Sequence, residues 1–288
     1  MPSLPTSPFS VSSYPGAAAW ELSSETFHQF ASFIYQECGI SLQSKKRIML
    51  QSRLQKRVRA LCLSDYDQYF EYLKRHLPIE LPLFISAITT NTTRFFRENH
   101  HFDYLVNRVL PEYQHQHRPL RIWSAGCSTG EEPYTLAMVL TDFYKERSGR
   151  FSILATDVDQ QVLKTARRAV YLNESLQDVP KPFRDKYVMR GIDRFAGSSR
   201  MIPGLRNRVT FLAVNFMDPE YPIDEPVDII FCRNVLIYFD NDTKRRIIRR
   251  FKNYLRTGGS LFIGHSETLH GISDCFQMEE PTVYRKGC

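Results

Sequence analysis

The second half of the sequence alternates between short strand-like segments and longer amphipathic ones. The strand-like segments, most of them continuously apolar, begin near residue 119 and read PLRIWSAG, RFSILATDVD, RVTFLAVNF, VDIIFCRN, GGSLFIG and MEEPTVYRKG. The segments between them include EPYTLAMVLTDFYKE, QQVLKTARRAV and TKRRIIRRFKNYL. A strand that is apolar throughout is buried on both faces, as in a parallel sheet covered by helices. The pattern therefore predicts a doubly wound α/β domain, which we place at residues 91–288.

Residues 20–90 show the periodicity of helices and no strand pattern. Apolar residues recur at helical spacing in FHQFASFIYQEC, with Ser23 or Ser24 as a candidate N-cap and Gly39 just past the end. Three further helices are expected, at Lys45 to about Leu61, after Ser64 and Asp65, and from Glu80 to about Thr89. The sequence thus predicts an all-helical N-terminal domain at 20–90, preceded by a flexible tail at 1–19.

The stretch from Tyr171 to Arg208 interrupts the alternation of the second half. A structureless loop of this length is improbable inside a compact domain. Its segments KYVMRG and SSRMIP can pair as short antiparallel strands around a turn that contains glycine. We therefore expect a small antiparallel β-subdomain, inserted within the α/β domain at residues 171–208.

Charge and cysteine content narrow the class of protein. The 288 residues include 38 Lys and Arg against 31 Asp and Glu, a formal net charge of +7, which suits binding of nucleic acid or of an acidic protein. No window approaches the roughly 18 to 20 apolar residues of a transmembrane helix, and the N-terminus does not read as a signal peptide. The six cysteines form no C-x-x-C or zinc pattern. We expect a cytoplasmic monomer with reduced thiols, no metal and no membrane insertion.

The first strand of the predicted sheet runs into a loop of small residues, Ser124-Ala-Gly-Cys-Ser-Thr-Gly130. Such a loop lets the backbone approach a ligand at the carboxyl end of a parallel strand. A dinucleotide site wants G-x-G-x-x-G, whereas here Ser128 replaces the middle glycine and the helix opens with Glu131 and Glu132. Two carboxylates repel a phosphate but suit an ammonium or sulfonium group. The loop therefore indicates S-adenosylmethionine, which is cationic and carries no phosphate.

Polar side chains follow the other strands at the same edge of the sheet. Asp157 ends the second strand, where its two oxygens can accept hydrogen bonds from both ribose hydroxyls. Asn215 and Phe216 end the third strand, where they could read the adenine amino group and pack on the base. The residues expected near the reacting end of the cofactor follow the fourth strand and are Arg233, Asn234 and Tyr238.

Four motifs together resemble one known family. They are SAGCSTGEEPYTLAM at 124–138, ATDVD at 155–159, TTNTTRFFR at 89–97 and FCRNVLIYF at 231–239, and they make the chain similar to the CheR family of chemotaxis receptor glutamate O-methyltransferases. The resemblance covers nearly the whole chain and implies a Rossmann-like methyltransferase domain. It also implies methyl transfer from S-adenosylmethionine to glutamate side chains on the cytoplasmic helices of transmembrane chemoreceptors. The products would be γ-glutamyl methyl esters and S-adenosylhomocysteine.

The resemblance also implies roles for individual residues. Arg97 and Tyr238 are expected to be catalytic. Glu131 is expected to meet the methionine amino group of the cofactor, although the sequence leaves its neighbour Glu132 open as an alternative. The full set implied to bind the cofactor is Asn91, Thr93, Arg97, Gly126, Glu131, Asp157, Asn215, Phe216, Arg233 and Asn234.

A glutamate nucleophile needs no general base, because its unperturbed pKa of about 4.3 leaves it ionised near pH 7. A sulfonium cation then meets a carboxylate anion, so proximity and in-line alignment carry most of the acceleration. We expect Arg97 and Tyr238 to hold the carboxylate and the cofactor in place rather than to exchange protons.

Seven basic residues and no acid lie between Lys45 and Arg59. On a helix, most of them fall opposite the apolar stripe, and solvated helices usually mix both signs of charge. Receptor methylation helices would be rich in glutamate, so this face is expected to dock the substrate and to steer encounter. The expected docking residues are Lys46, Arg53, Lys56, Arg57 and Arg59. The basic run from Lys244 to Lys252 is equally consistent with a solvated face.

A second partner is implied by the resemblance, since some family members bind a short peptide at the receptor's C-terminus. An exposed strand edge of the β-subdomain could take that peptide by strand addition.

Two other functions compete with this interpretation. A nucleic-acid methyltransferase suits the net charge, but methylation of base amino groups usually uses an Asn/Asp-Pro-Pro-aromatic turn after the fourth strand. No proline occurs from Arg233 to Tyr238. A non-catalytic receptor adaptor would be expected to lack Glu131, Asp157 or Tyr238, and all three are present.

Overall fold

The computed structural model describes residues 21–145 and 150–287, and the predicted tail at 1–19 lies outside the described residues. The N-terminal domain is helical, as expected. Its helices are α1 (Ser24–Cys38), α2 (Arg47–Ala60), α3 (Tyr66–Arg75) and α4 (Leu77–Ile88), with a 3₁₀ turn at Ser44–Lys46. The second helix therefore begins two residues later than the sequence suggested, and the fourth begins three residues earlier, with a proline in its first turn.

Local chemistry fixes the ends of these helices. The Ser23 side chain accepts a hydrogen bond from the amide of Thr26, and Asp65 caps α3 in the same way. Gly39 ends α1 in the left-handed conformation, with φ 71°. A Cβ at Gly39 would lie 2.5 Å from the Met217 sulfur, so the α1 terminus packs closely on the second domain.

A helical segment at the start of the predicted α/β domain was not expected from the sequence. It consists of α5 (His100–Tyr104), a π-helical stretch at Leu105–Val109 and α6 (Leu110–Tyr113). Phe102, Leu105 and Val109 are buried in the core cluster that also contains Phe231 of the sheet. The Phe102 and Phe231 rings stack with centroids 5.9 Å apart, so this segment covers one face of the sheet.

The second domain is a seven-stranded sheet covered by helices, as predicted. In chain order its elements are β1 (Leu120–Ala125), α7 (Glu131–Phe143), β2 (Phe151–Asp157), α8 (Gln160–Arg168), the inserted elements described next, β6 (Val209–Ala213), β7 (Val227–Cys232), α11 (Asn241–Tyr254), β8 (Leu255–Ile263), β9 (Phe276–Glu280) and β10 (Val283–Lys286). The strand order is β6-β2-β1-β7-β8-β10-β9. The first five strands of this order are parallel, and β10 runs antiparallel to β8 and β9. The direction of the strand order reverses at β1, which lies between β2 and β7, so the carboxyl ends of these three strands open onto one crevice.

The inserted β-subdomain is confirmed. It contains β3 (Val170–Leu172), α9 (Lys181–Tyr187), β4 (Val188–Arg190), β5 (Ser198–Met201) and α10 (Pro203–Arg206). The three strands form an antiparallel sheet in the order β3-β5-β4. Both β3 and β4 are therefore edge strands of this small sheet.

The helical domain is hydrogen-bonded to the loop that follows β7. Ile40 and Phe239 form an isolated antiparallel bridge, and the Ser41 amide donates to the Tyr238 carbonyl at 2.9 Å. The Asn215 side-chain amide donates to the Glu37 carbonyl at 2.6 Å. These bonds bring the N-terminal domain over the carboxyl edge of the sheet.

Candidate functional site

A cavity of about 590 Å³ lies at the carboxyl edge of the sheet, between the sheet and the helical domain. Its walls come from the turn after α1, the first half of α2, the linker at 88–97, and the loops after β1, β2, β6 and β7. The volume is in the range of small-molecule and cofactor sites.

The small-residue loop after β1 forms one wall of the cavity. Gly126 and Gly130 adopt φ angles of 87° and 99°, a region that side chains rarely enter. A Cβ at Gly126 would also lie 2.5 Å from a methyl group of Val235. The glycine therefore allows the loop after β1 to approach the loop after β7 across the floor of the cavity.

Asp157 lies on the cavity wall, where the sequence placed it. Its Oδ2 accepts from the Ser128 amide at 2.8 Å and its Oδ1 accepts from the Asp159 amide at 3.0 Å. Burial raises the pKa of Asp157 to about 6, against the opposing effect of these amide hydrogen bonds. Each carboxylate oxygen keeps a lone pair, so both ribose hydroxyls of a nucleoside could donate to it.

Of the two carboxylates at the start of α7, the structure favours the alternative, Glu132, for the contact with the methionine amino group, and this role stays a prediction. Glu132, and not Glu131, lines the cavity, because successive residues of a helix point about 100° apart. The Glu132 carboxylate accepts from the Ser124 hydroxyl at 2.7 Å and pairs with Arg233 at 3.3 Å. Glu131 instead accepts from the Thr129 hydroxyl at 2.7 Å. Burial raises the pKa of both carboxyls.

Arg233 is present at the site but is not free to bind a reactant. Its side chain is only 2% exposed and forms ion pairs at 3.3 Å with Glu98 and with Glu132. It also donates to the Arg97 carbonyl and lies over the Phe102 ring at 5.4 Å. Arg233 therefore joins the linker to the floor of the cavity, and its expected place near the methyl group stays a prediction.

Asn234 lines the cavity and has one side-chain acceptor atom, Oδ1, that is left without a hydrogen bond from the part of the chain that the structure describes. Its Nδ2 donates to Glu98 at 3.2 Å, whereas its buried Oδ1 has no hydrogen-bond partner among the described residues. An unpartnered buried acceptor is costly unless a ligand completes it. Asn234 and Glu132 both line the cavity, and their oxygens can accept from an ammonium group. The residues present therefore fit the amino-acid end of S-adenosylmethionine.

The linker supplies the opposite wall through Asn91, Thr93 and Arg97, all of which line the cavity. The Asn91 side-chain amide donates to the Asp159 carboxylate at 2.9 Å. The Asn91 backbone carbonyl accepts from the Ser128 hydroxyl at 3.0 Å. Arg97 donates one N–H to the Thr92 carbonyl at 2.9 Å and is half-buried. The linker is thus fixed to the small-residue loop while a guanidinium group faces the cavity.

Asn215, Phe216 and Tyr238 also line the cavity. Both ends of the Asn215 amide are engaged, Nδ2 with the Glu37 carbonyl and Oδ1 with the Met217 amide. Only the second lone pair of Oδ1 is left for an adenine amino group. Phe216 packs edge-on against Phe251 at 5.5 Å, so its ring is a rigid wall.

Two further acidic residues of the site were missed by the sequence reasoning. Glu98 ties together Arg233, Asn234 and His265, and Glu267 accepts backbone hydrogen bonds from the loop after β7. Burial opposes ionisation of Glu98, but its hydrogen bond from His265 and the charge of Arg233 lower its pKa to about 2. Neither residue ends a strand or opens a helix, so no pattern in the sequence marked it.

Of the basic residues in and just before α2, some side chains are exposed and others form hydrogen bonds or ion pairs inside the protein. Lys46, Lys56 and Arg59 are exposed. Arg53 donates to the carbonyls of Ile88 and Thr89 and to the Thr90 hydroxyl, so it holds the start of the linker.

Arg57 was expected to dock the substrate, but in the structure its guanidinium group is engaged inside the helical domain, which disfavours that role. It makes a bidentate ion pair with the buried Glu80, at 2.8 and 2.6 Å, and Glu80 also accepts from the Tyr69 hydroxyl at 2.8 Å. The helix rotation turns Arg57 toward α4, where its charge compensates a buried carboxylate.

Within residues 21–145 and 150–287, no group of three or more His, Cys, Asp and Glu side chains could hold a metal ion. No helix in the same ranges is long and apolar enough to cross a membrane.

Two family models match consecutive parts of the chain. One, described as CheR methyltransferase, all-alpha domain, matches residues 25–89, and the other, described as CheR methyltransferase, SAM binding domain, matches residues 91–285. Chemotaxis protein methyltransferase 2 of Pseudomonas aeruginosa is 41% identical over 260 residues, which are 90% of this chain and 92% of that protein. A chemotaxis protein methyltransferase of Salmonella typhimurium is 40% identical over 264 residues, which are 91% of this chain and 90% of that protein. Sequence, fold and cavity agree with these matches, and the chain belongs to the CheR methyltransferase family.

Proposed function

We propose that this protein transfers a methyl group from S-adenosylmethionine to glutamate side chains on the cytoplasmic helices of chemoreceptors, in adaptation of bacterial chemotaxis. The products are γ-glutamyl methyl esters and S-adenosylhomocysteine. The family's SAM binding domain spans residues 91–285, and the relatives are named chemotaxis protein methyltransferases. The single observation that carries the proposal is that the cavity lining contains the Glu132 carboxylate and Asn234, whose Oδ1 has no hydrogen-bond partner among the described residues. These acceptors suit a cationic amino acid and not a phosphate.

The cofactor is held by residues from both walls of the cavity. Glu132 and Asn234 receive its amino group, Asp157 receives its ribose hydroxyls, and Asn215 and Phe216 border its adenine. When bound, S-adenosylmethionine supplies an electrophilic methyl group on a sulfonium.

Catalysis by this chain is a matter of holding and orienting. None of the described residues that line the cavity is a histidine, and a glutamate substrate is already ionised near pH 7. The two cysteines at the cavity are poor nucleophiles, since burial raises the pKa of Cys38 to about 12 and that of Cys127 well above its usual value. Arg97 directs its free N–H groups at the substrate carboxylate, and Tyr238 fixes the reacting pair from the other side.

The substrate helix docks on the exposed basic residues of α2 and on Lys46 in the turn that precedes it. Lys46 borders the cavity, and Lys56 and Arg59 extend the positive surface along the helix. Charge of this sign steers a glutamate-rich helix toward the cavity and weakens with rising salt.

The receptor's C-terminal peptide binds the β-subdomain by strand addition. Edge strand β4 has free backbone groups on one side, and Ile192 and Phe195 beside it are 73% and 57% exposed. Replacing both residues by Ser should lower peptide affinity and leave S-adenosylhomocysteine affinity unchanged, as measured by calorimetry. Unchanged peptide affinity would contradict this part of the proposal.

One assay tests the reaction class. The protein is incubated with methyl-labelled S-adenosylmethionine and receptor membranes, and the labelled product is then treated with mild base. Release of the label as methanol identifies a carboxyl ester. Base-stable label on protein, or label on added nucleic acid, would refute the proposal.

A further inference from the structure

The loop from Asn234 to Tyr238 is held by a residue that does not line the cavity. The Glu267 carboxylate accepts from the Asn234 amide at 3.0 Å through Oε2 and from the Ile237 amide at 3.2 Å through Oε1. Its Oε2 also accepts from the Gly264 amide at 2.5 Å. One side chain thus binds three backbone donors from two separate segments.

Backbone amides alone compensate the charge of Glu267. The residue is 8% exposed, and none of the described Lys, Arg or His side chains forms an ion pair with it. Burial raises its pKa, whereas the amides of Gly264, Asn234 and Ile237 lower it. A neutral apolar residue would avoid this desolvation, but it would leave the buried amides without acceptors.

The surrounding turn is shaped so that Glu267 can reach the loop. A Cβ at Gly264 would lie 2.6 Å from Asn234 Nδ2 and 2.9 Å from Glu267 Oε2, so glycine is required for this approach. Asn234 adopts a left-handed φ of 59°, a conformation that asparagine accepts more readily than most residues with a side chain. The same turn contacts Glu98 through His265 Nδ1 at 2.6 Å, and Glu98 accepts from Asn234 Nδ2. Asn234 is therefore fixed at both its backbone and its side chain.

We propose that Glu267 is a positioning residue for methyl transfer, setting the loop that presents Asn234 and Tyr238 to the reactants. The inference rests on the proposed function. Glu267 acts on Asn234 directly through its amide, and on Tyr238 through the amide of the preceding residue, Ile237. The Ser41 amide holds the Tyr238 carbonyl from the opposite side.

Glu267→Gln is the sharpest substitution, because it keeps the shape of the side chain and turns an NH2 group toward one of the amide donors. A displacement of about 1 Å at a reacting group can cost on the order of 100-fold in rate, so we expect kcat to fall at least about tenfold. The KM for receptor membranes should change less than about twofold, because docking on α2 is untouched.

Asp228→Asn is the matched control. Asp228 is also a buried carboxylate, 1% exposed, but it lies at the amino end of β7 and pairs with Arg118. This variant should lower the melting temperature and keep kcat per folded molecule. A merely structural role for Glu267 would give the same result in Glu267→Gln.

Amide hydrogen exchange gives a readout that does not depend on turnover. The amides of Asn234 and Ile237 should be protected in the unsubstituted protein and at least one of them should exchange at least about tenfold faster in Glu267→Gln. Full kcat in Glu267→Gln, or unchanged exchange of both amides, overturns the inference. If the variant does not fold, rapid exchange of both amides in the unsubstituted protein overturns it. If the unsubstituted protein fails to label receptors, the proposed function falls, and the exchange result still decides whether Glu267 holds the loop.

Discussion

Acidification should weaken cofactor binding through Asp157. The Asp157 carboxylate lies on the cavity wall and accepts hydrogen bonds from two backbone amides. Burial raises its pKa from 3.8 to about 6. Ribose hydroxyls donate to the ionised form. A proton on Asp157 must therefore leave before the ribose can be bound in this way.

The burial of Asp157 determines the sign of the pH effect on cofactor binding and sets an upper bound on its size. A shift from 3.8 to about 6 corresponds to an upper bound of about 3 kcal/mol, since Asp157 remains partly accessible from the cavity. In the ligand-free protein, protonation of Asp157 contributes stability that is fully present below about pH 4 and is lost as the pH rises through about 6. Cofactor binding follows the opposite sign, so the affinity should fall by up to about tenfold for each pH unit below 6.

Calorimetric titration with S-adenosylhomocysteine from pH 5 to pH 8 measures this dependence. The apparent Kd should be constant above about pH 7 and roughly tenfold higher at pH 5. Asp157→Asn should raise Kd at pH 7.5 by about 10- to 100-fold, because hydrogen bonds to a charged group contribute about 1.5–3 kcal/mol. It should also flatten the profile between pH 5 and pH 7.

Comparing the pH dependence of Kd in the unsubstituted protein with that in Asp157→Asn distinguishes the effect of Asp157 from that of other titrating groups. Glu131 and Glu132 also have raised pKa values, so a slope that survives in Asp157→Asn reports on them. A native Kd that does not change between pH 8 and pH 5, or an equal slope in the variant, would refute the reasoning.

Three further predictions concern other parts of the molecule. Tyr238→Phe should lose far less rate than Arg97→Ala in receptor methylation, because neither residue transfers a proton and only Arg97 carries charge. Arg57→Ala should lower the free energy of unfolding by about 3–5 kcal/mol in chemical denaturation, because Glu80 would be left buried and unpaired. Arg59→Glu should leave unfolding unchanged and slow association with receptor membranes at low salt, with the difference shrinking at high salt.

Each of these has an outcome that contradicts it. A pH–rate profile with an essential base near pH 7 that disappears in Tyr238→Phe would show proton transfer. Unchanged stability of Arg57→Ala would mean that Glu80 is neutral or solvated, and Arg57→Ala with Glu80→Gln is the control that removes both charges. A salt-independent rate difference for Arg59→Glu would indicate a direct contact and not steering.

The sequence predicted the fold class because the relevant physics is local. A largely apolar segment such as VDIIFCRN indicates a strand that is buried on both faces, and β7 is buried throughout. Cap residues such as Ser23, Asp65 and Gly39 fix helix ends through neighbouring backbone groups. The helical segment from His100 to Tyr113 was missed. Its apolar residues are distributed through a π-helical stretch, which breaks the 3.6-residue period that sequence reasoning relies on.

The candidate site was predicted in its place but not in its individual roles. Asp157, Asn234 and Tyr238 follow parallel strands, and topology alone brings those strand ends to one edge. The choice between Glu131 and Glu132 depends on how α7 is rotated against the sheet. The separation of Arg57 from Lys56 and Arg59 likewise depends on where α4 packs against α2.

By itself, then, the sequence determined the two domains, the inserted β-subdomain, the chemical class of the cofactor and the edge of the sheet that holds it. Only the tertiary structure decided which charged side chains form ion pairs with one another. Glu98, Glu132 and Arg233 are far apart in the chain, and they pair only after the linker and the ends of the strands converge. Glu267 likewise reaches the Asn234 amide only in the folded chain. Electrostatic partners are set by distances of a few ångströms and by burial, and neither is encoded in local periodicity.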